Sequence, residues 1–166
     1  MRTFKDNKGR TWEIALNVWQ MKRLRDTLGI DLVNVIGTSA DGNVRVDTID
    51  RIASDPCLLV DILWVVCERQ ANAEGVKDED FGASLAGDSI EDATRAFLDE
   101  LVDFFPGARR LFLKKAVGLA RKYAGEMETA LKTVLESPEL EERLKTELRS
   151  ATASQESAAS IQTPAP

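Results

Sequence analysis

The sequence predicts a mainly α fold: a helical domain with an N-terminal β-hairpin and a disordered C-terminal tail. Three observations lead there. Apolar residues recur at three and four positions through most of the chain, the spacing of a buried helix face. Clear strand-like alternation occurs once, in residues 2–16. The last sixteen residues, ATASQESAASIQTPAP, are rich in Ala, Ser and Pro and offer almost no apolar surface to bury.

The hairpin is read from RTFKD and RTWEIAL around Asp6-Asn7-Lys8-Gly9, residues that tolerate positive φ. Phe4, Trp12 and Ile14 alternate with Thr3, Thr11 and Glu13. Two strands alone are marginal, so the hairpin must pack on helices or on another chain. Asn17 reads as a helix N-cap, with Gln20 completing a capping box and Leu16 and Met21 in the staple positions. The helix VWQMKRLRDTL then ends at Gly29. IDLVNVI reads as a further short helix, and GTSADGNVRV as a loop with a small second hairpin at Asp41-Gly42.

Asp47 and Asp50 open the short helix TIDRIAS, and Asp55-Pro56 starts the next, with Asp as cap and Pro at the first helical position. From Pro56 to about Asn72 that helix is apolar nearly all round, which predicts the centre of the core, Leu63 and Trp64 included. Asp61 is its one interior charge and is expected to face solvent or a partner. Asp78 is expected to cap DEDFGASLAG, and Asp88 with Glu91 to cap SIEDATRAFLDELVDFF. In the latter, Ile90, Ala93, Phe97, Leu101 and Phe104 define one apolar face, and Pro106-Gly107 ends the helix. A long helix follows, with Leu113, Val117, Ala120, Ala124, Met127, Leu131 and Val134 on one stripe. Ser137-Pro138 caps a last helix whose stripe is only Leu140, Leu144 and Leu148, narrow enough to suit a partner helix. The expected organisation is a helical domain over 1–136, an amphipathic helix over 137–150 and a disordered tail over 151–166.

At 166 residues the chain is long enough for a real core. A net charge of −6 argues against general nucleic-acid binding, and the longest apolar run, Cys57 to Cys67, is too short to cross a bilayer. The N-terminus lacks the apolar stretch of a signal peptide, so a cytoplasmic location is expected. Cys57 and Cys67 lie ten positions apart on one helix, about 15 Å along its axis, and are expected to be a buried, reduced pair. The chain contains no histidine, which removes the commonest general base and zinc ligand together.

No pattern of residues marks a reaction centre. Asp80-Phe81-Gly82 spells a kinase metal-binding tripeptide, but no glycine-rich or catalytic loop accompanies it. Phe81 reads instead as an anchor at a helix start. The acids 78–80 and 88–92 depart from calcium-loop spacing and suit helix N-termini. No catalytic, cofactor-binding or metal-binding residue is assigned. What the sequence does offer is an apolar helix end between blocks of opposite charge. The candidate partner-binding residues are Phe97, Leu101 and Phe105, the basic Arg109, Arg110 and Lys114, and the stripe Leu140, Leu144 and Leu148. Phe105 reads as an exposed anchor, and Phe104 as core because it continues the stripe from Leu101. For the basic block, pairing with Asp99, Glu100 and Asp103 competes with binding an acidic protein segment or nucleic acid.

The runs ASDPCLLVDILWVVC and EDFGASLAGDSIEDATRAFLDELVDFFPGARR, with the opening hairpin, resemble a family of small tailed-phage and prophage proteins encoded near the tape-measure gene. The likeness covers roughly Met1 to Lys122, and the family members are taken to be tail assembly chaperones. The resemblance implies a binding protein with no catalysis and no cofactor, working in the cytoplasm of a bacterial host. It would coat the tape-measure protein, keep it soluble and help recruit the tail-tube protein. Self-association is a further option; nucleic acid and membrane are not expected partners. The alternative is a structural head-tail connector or tail completion protein that stays in the particle. Removing residues 151–166 should move the melting temperature by less than about 4 °C, because that tail has no apolar surface to dock; differential scanning calorimetry of the two chains checks this.

Overall fold

The computed structural model describes residues 1–38, 44–45, 47–138, 140, 142–143, 145–147 and 149. The fold is mainly α with an N-terminal antiparallel hairpin. The chain divides into two compact units, Met1–Ala116 and Val117–Pro166.

In the first unit, β1 (Arg2–Lys5) pairs with β2 (Thr11–Ile14), Phe4 opposite Trp12. Phe4, Trp12 and Ile14 are buried, as the alternation requires. The hairpin does not stand alone. Helix α5 (Asp88–Phe104) packs along β1, and α3 (Pro56–Ala73) along β2. The outer edge of β2 is closed by a side chain: the Gln70 amide donates to Thr11 O at 2.8 Å and accepts from Glu13 N at 3.0 Å. One amide thus stands in for a neighbouring strand and satisfies groups that would otherwise template pairing.

Helix α1 (Val18–Leu28) begins where Asn17 accepts from Gln20 N at 3.0 Å. The capping box is not reciprocal, because Gln20 Nε2 reaches across to Val66 O at 3.4 Å. Gly29 ends the helix at φ 68, a conformation an L side chain would strain, with its N–H on Arg25 O. The expected helix over 30–36 does not form. Asp31 instead accepts from Val33 N, Asn34 N and Asn34 Nδ2, and this local turn outcompetes helical bonding. Ile30, Leu32 and Val35 are buried nonetheless. A two-residue ladder joins β3 (Gly37–Thr38) to β4 (Val44–Arg45), while the Asp41-Gly42 turn lies outside the described residues.

Helix α2 (Asp47–Ser54) buries Ile49 and Ile52 and leads at once into α3, where Asp55 accepts from Leu58 N at 3.0 Å. Leu59, Ile62, Leu63, Val65 and Val66 make α3 the centre of the core. Trp64 is only half-buried, and Asp61 faces solvent. The two cysteines part company: Cys57 is exposed in the first turn of α3, and Cys67 is buried beneath β2. The capping expected of Asp78 and Asp88 is absent. Both residues lie inside the first turn, of α4 (Asp78–Gly82) and α5, behind Lys77 and Gly87. Their carboxylates still favour the positive end of each helix.

The Asp6 carboxylate ties the hairpin turn to this core. It is buried and accepts from Lys8 N and Arg10 N at 2.9 Å, from Arg10 Nε at 2.6 Å and from Trp12 Nε1 at 2.9 Å. The Ser84 hydroxyl, just past α4, stands 3.1 Å away. Asn7 extends the same junction, donating its N–H to Ser84 O at 3.0 Å and its amide to Ala86 O at 3.1 Å. Beneath it, Phe81 is fully buried, edge-on to Trp12 at 4.8 Å and tilted against Trp64 at 5.6 Å.

Burial pushes the Asp6 pKa up, but hydrogen bonds from Trp12, Arg10 and Ser84 together outweigh it and hold the carboxyl below its ordinary value. A folded pKa below the unfolded one adds stability above the unfolded value, near pH ~4, and that stability disappears as pH falls through the folded value. Asp6→Ala should cost about 3–5 kcal/mol at pH 7, since it strands buried donors and the Arg10 charge. In urea titrations from pH 7 down to 2, the gap between wild type and variant should narrow as pH falls below ~4, while a gap that widens there would contradict the lowered Asp6 pKa.

Candidate functional site

The aromatic and basic edge read from the sequence lies at the turn between α5 and α6 (Gly107–Leu135), and the structure places its apolar half in the interior and its basic half at the surface. Phe97, Leu101 and Phe105 are all buried, at 0, 1 and 2% exposure. Phe105 is therefore not an exposed anchor, and Phe104 is the half-buried one of the pair. The reason is local. Helix α5 stops at Phe104, and Phe105 takes an extended backbone (φ −84, ψ 137) that turns its ring out of helical phase and into the core. The two rings meet edge to face at 5.1 Å. Gly107 follows at φ 55, a geometry that favours glycine and lets α6 start immediately.

Arg109 and Arg110 serve this turn. Arg110 donates to Phe105 O at 2.7 Å and to Asp103 O at 2.9 Å, satisfying carbonyls at the negative end of α5. Arg109 donates to Val33 O at 3.0 Å, and its guanidinium lies 5.0 Å from the centre of the Phe105 ring. Their partners are thus main-chain carbonyls rather than the expected carboxylates. Asp103 is paired with Arg2 at 2.6 Å, and Glu100 is buried, accepting from Leu16 N at 3.3 Å. Lys114 is exposed.

Among the described residues, no cluster of reacting groups is seen elsewhere. A groove between β2, α1 and α3, lined by Glu13, Asn17, Gln20, Cys67 and Gln70, contains one nucleophile. Burial pushes the Cys67 thiol up to about 12, so it stays protonated at neutral pH. Among the described residues no three His, Cys, Asp or Glu side chains gather as metal ligands, and no helix is long and apolar enough to cross a membrane.

The second unit presents the other candidate. Every position of α6 from 118 to 135 is exposed. Leu119, Tyr123, Met127, Leu131, Val134 and Leu135 stand between 51 and 75% exposed, and four-residue steps from Leu119 to Leu131 set them on one side of the helix. The sequence stripe named Met127, Leu131 and Val134 but not Leu119, Tyr123 or Leu135. Uninterrupted four-residue spacing was the signal that could have found them. Farther on, Ser137 Oγ accepts from Leu140 N at 3.4 Å, a cap for the helical residues described between 138 and 149. Leu140 is half-buried; Leu144 and Leu148 lie outside the described residues.

Comparison with family models, curated proteins and solved structures finds no match. The functional reading therefore rests on the α6 surface and on the character of the sequence. Phe105→Asp should destabilise the fold by about 3–5 kcal/mol, the range for removing a buried aromatic side chain. Urea denaturation should show a lower midpoint or an already unfolded protein, and an unchanged midpoint would return Phe105 to the surface.

Proposed function

We propose that this protein is an assembly chaperone of the tailed-phage type, holding the tape-measure protein and assisting tail-tube assembly by binding alone. The observation that carries the reading is the exposed apolar stripe of α6. Monomeric proteins rarely leave so many large apolar groups in line on one element without a partner. A tape-measure protein exposes long apolar helical surfaces until the tube encloses it. Helix-on-helix contact would remove both surfaces from water at roughly 25 cal/mol per Å² of apolar area.

The charges of α6 fit that role. Beyond the two arginines that close the turn, Lys114, Lys115, Arg121 and Lys122 follow with no acid among them. Such residues speed the encounter with an acidic segment and make it salt-dependent, whereas the apolar stripe sets the lifetime of the complex. The compact first unit then acts as the folded body from which the binding helix extends in sequence. The absence of histidine and the protonated Cys67 support a role without catalysis.

Co-expression with the tape-measure protein of the same phage should keep that protein soluble and co-purify with it. Met127→Glu combined with Leu131→Glu should reduce recovery of the tape measure at least about tenfold, a loss of ~1.4 kcal/mol or more. Circular dichroism should stay unchanged, since both side chains are exposed. A tape measure that aggregates equally with and without this protein overturns the reading. Stoichiometric presence of the protein in purified virions would replace it with a connector or tail completion role.

A further inference from the structure

We infer that the exposed length of α6 pairs antiparallel with α6 of a second copy of this chain, about a two-fold axis at Gly125. The inference goes beyond the chaperone reading and does not rest on it, because it concerns the isolated protein. Its first support is the symmetry of the apolar pattern. Leu119 and Leu131 lie six residues either side of Gly125, Ala120 and Ala130 five, and Tyr123 and Met127 two. At about 100° per residue these six side chains fall within a stripe about 120° wide, and Gly125 itself lies on the opposite face. An antiparallel partner brings Leu119 level with Leu131, Ala120 with Ala130 and Tyr123 with Met127. The same patch is then complementary to itself, as a two-fold interface requires.

Charge selects the antiparallel arrangement. Before Gly125 and past the turn-closing arginines, the helix carries Lys114, Lys115, Arg121 and Lys122 and no acid. After Gly125 it carries Glu126 and Glu128 against Lys132, with Glu136 just past its last residue. Parallel pairing would set the cations side by side; antiparallel pairing sets each basic half beside an acidic one. One border of the stripe carries Lys122 and Glu126, which in the single chain pair with one another at 3.7 Å. The two-fold axis brings this border against itself, with Lys122 of each copy about 3 Å along the axis from Glu126 of the other. The exposed intrahelical pair becomes a four-membered cross-helix cluster, and Tyr123 meets a Met127 thioether.

Sedimentation of the isolated chain tests this. At roughly 100 µM, well above the dissociation constant of a modest helix pair, the mass should be twice the 18.3 kDa of one chain. Tyr123→Glu with Leu131→Glu should return it to one chain with unchanged helical content. Lys122→Glu alone should weaken the dimer at least fivefold, and adding Glu126→Lys should restore it. In a Cys57→Ser background, mixing Tyr123→Cys protein with Met127→Cys protein should give disulfide-linked pairs of one with the other. A single-chain mass at 100 µM overturns the inference. So does a dimer indifferent to the two Glu substitutions, or one in which each cysteine variant cross-links chiefly with itself.

Discussion

One buried carboxylate organises the first unit. Asp6 stands in a turn, where a charged residue would ordinarily face water, yet it is buried among five donors from the hairpin and from the segment after α4. A desolvated charge is tolerated only when its acceptor sites are filled. The requirement therefore runs outward from Asp6. The Trp12 indole must point inward, Arg10 must fold back over it, and Ser84 must close the cluster. Each demand positions a neighbour: Trp12 defines the wall that Phe81 meets edge-on, and the Asn7 bonds to Ser84 and Ala86 set the approach of the chain into α5. A two-stranded hairpin that could not persist alone is held by this junction and by the helices packed along it.

At the other end of α5 the chain faces a different constraint. A helix that stops inside a protein leaves carbonyls without partners, and the next helix must begin within three residues. Arg110 answers the first need by donating to Phe105 O and Asp103 O, and Gly107 the second by its left-handed backbone. Phe105 then fills the space beneath the turn, with Arg109 over its ring. Basic residues that resemble a recognition patch in the sequence are, in the fold, the closure of a helix end.

Helix α6 beyond 117 follows a different logic. Its polar groups are served by the helix itself and by exposed pairs such as Lys132 with Glu128 at 2.7 Å, which contribute little at a surface. Its apolar groups from Leu119 to Leu135 stand exposed among the described residues. Covering them with another helix, from a tape-measure protein or a second copy as proposed, would remove that apolar surface from water. Both proposed contacts draw on this one surface. Binding of an assembly partner would then compete with self-pairing, and the free protein would keep its stripe covered until that partner appears.

Much of the fold was legible in the sequence because its signals are local. The hairpin alternation, the Asn17 and Asp55 caps, the Gly29 stop and the all-round apolar character of α3 act through neighbouring residues, and all appear as read. The failures have equally local causes. Asp31 bonded its own turn and broke a helix, and Gly87 moved the start of α5 so that Asp88 was no longer its cap. The site was less legible. Periodicity identifies a face as apolar but not what covers it, because cover is decided by residues distant in sequence. Phe97 and Leu101 share their character with Met127 and Leu131, yet the first pair lies buried in the first unit and the second pair lies open. The sequence by itself determined which faces are apolar and which residues cap each turn. Only the tertiary structure decided which of those faces is already filled, since burial depends on long-range packing that local patterns do not encode.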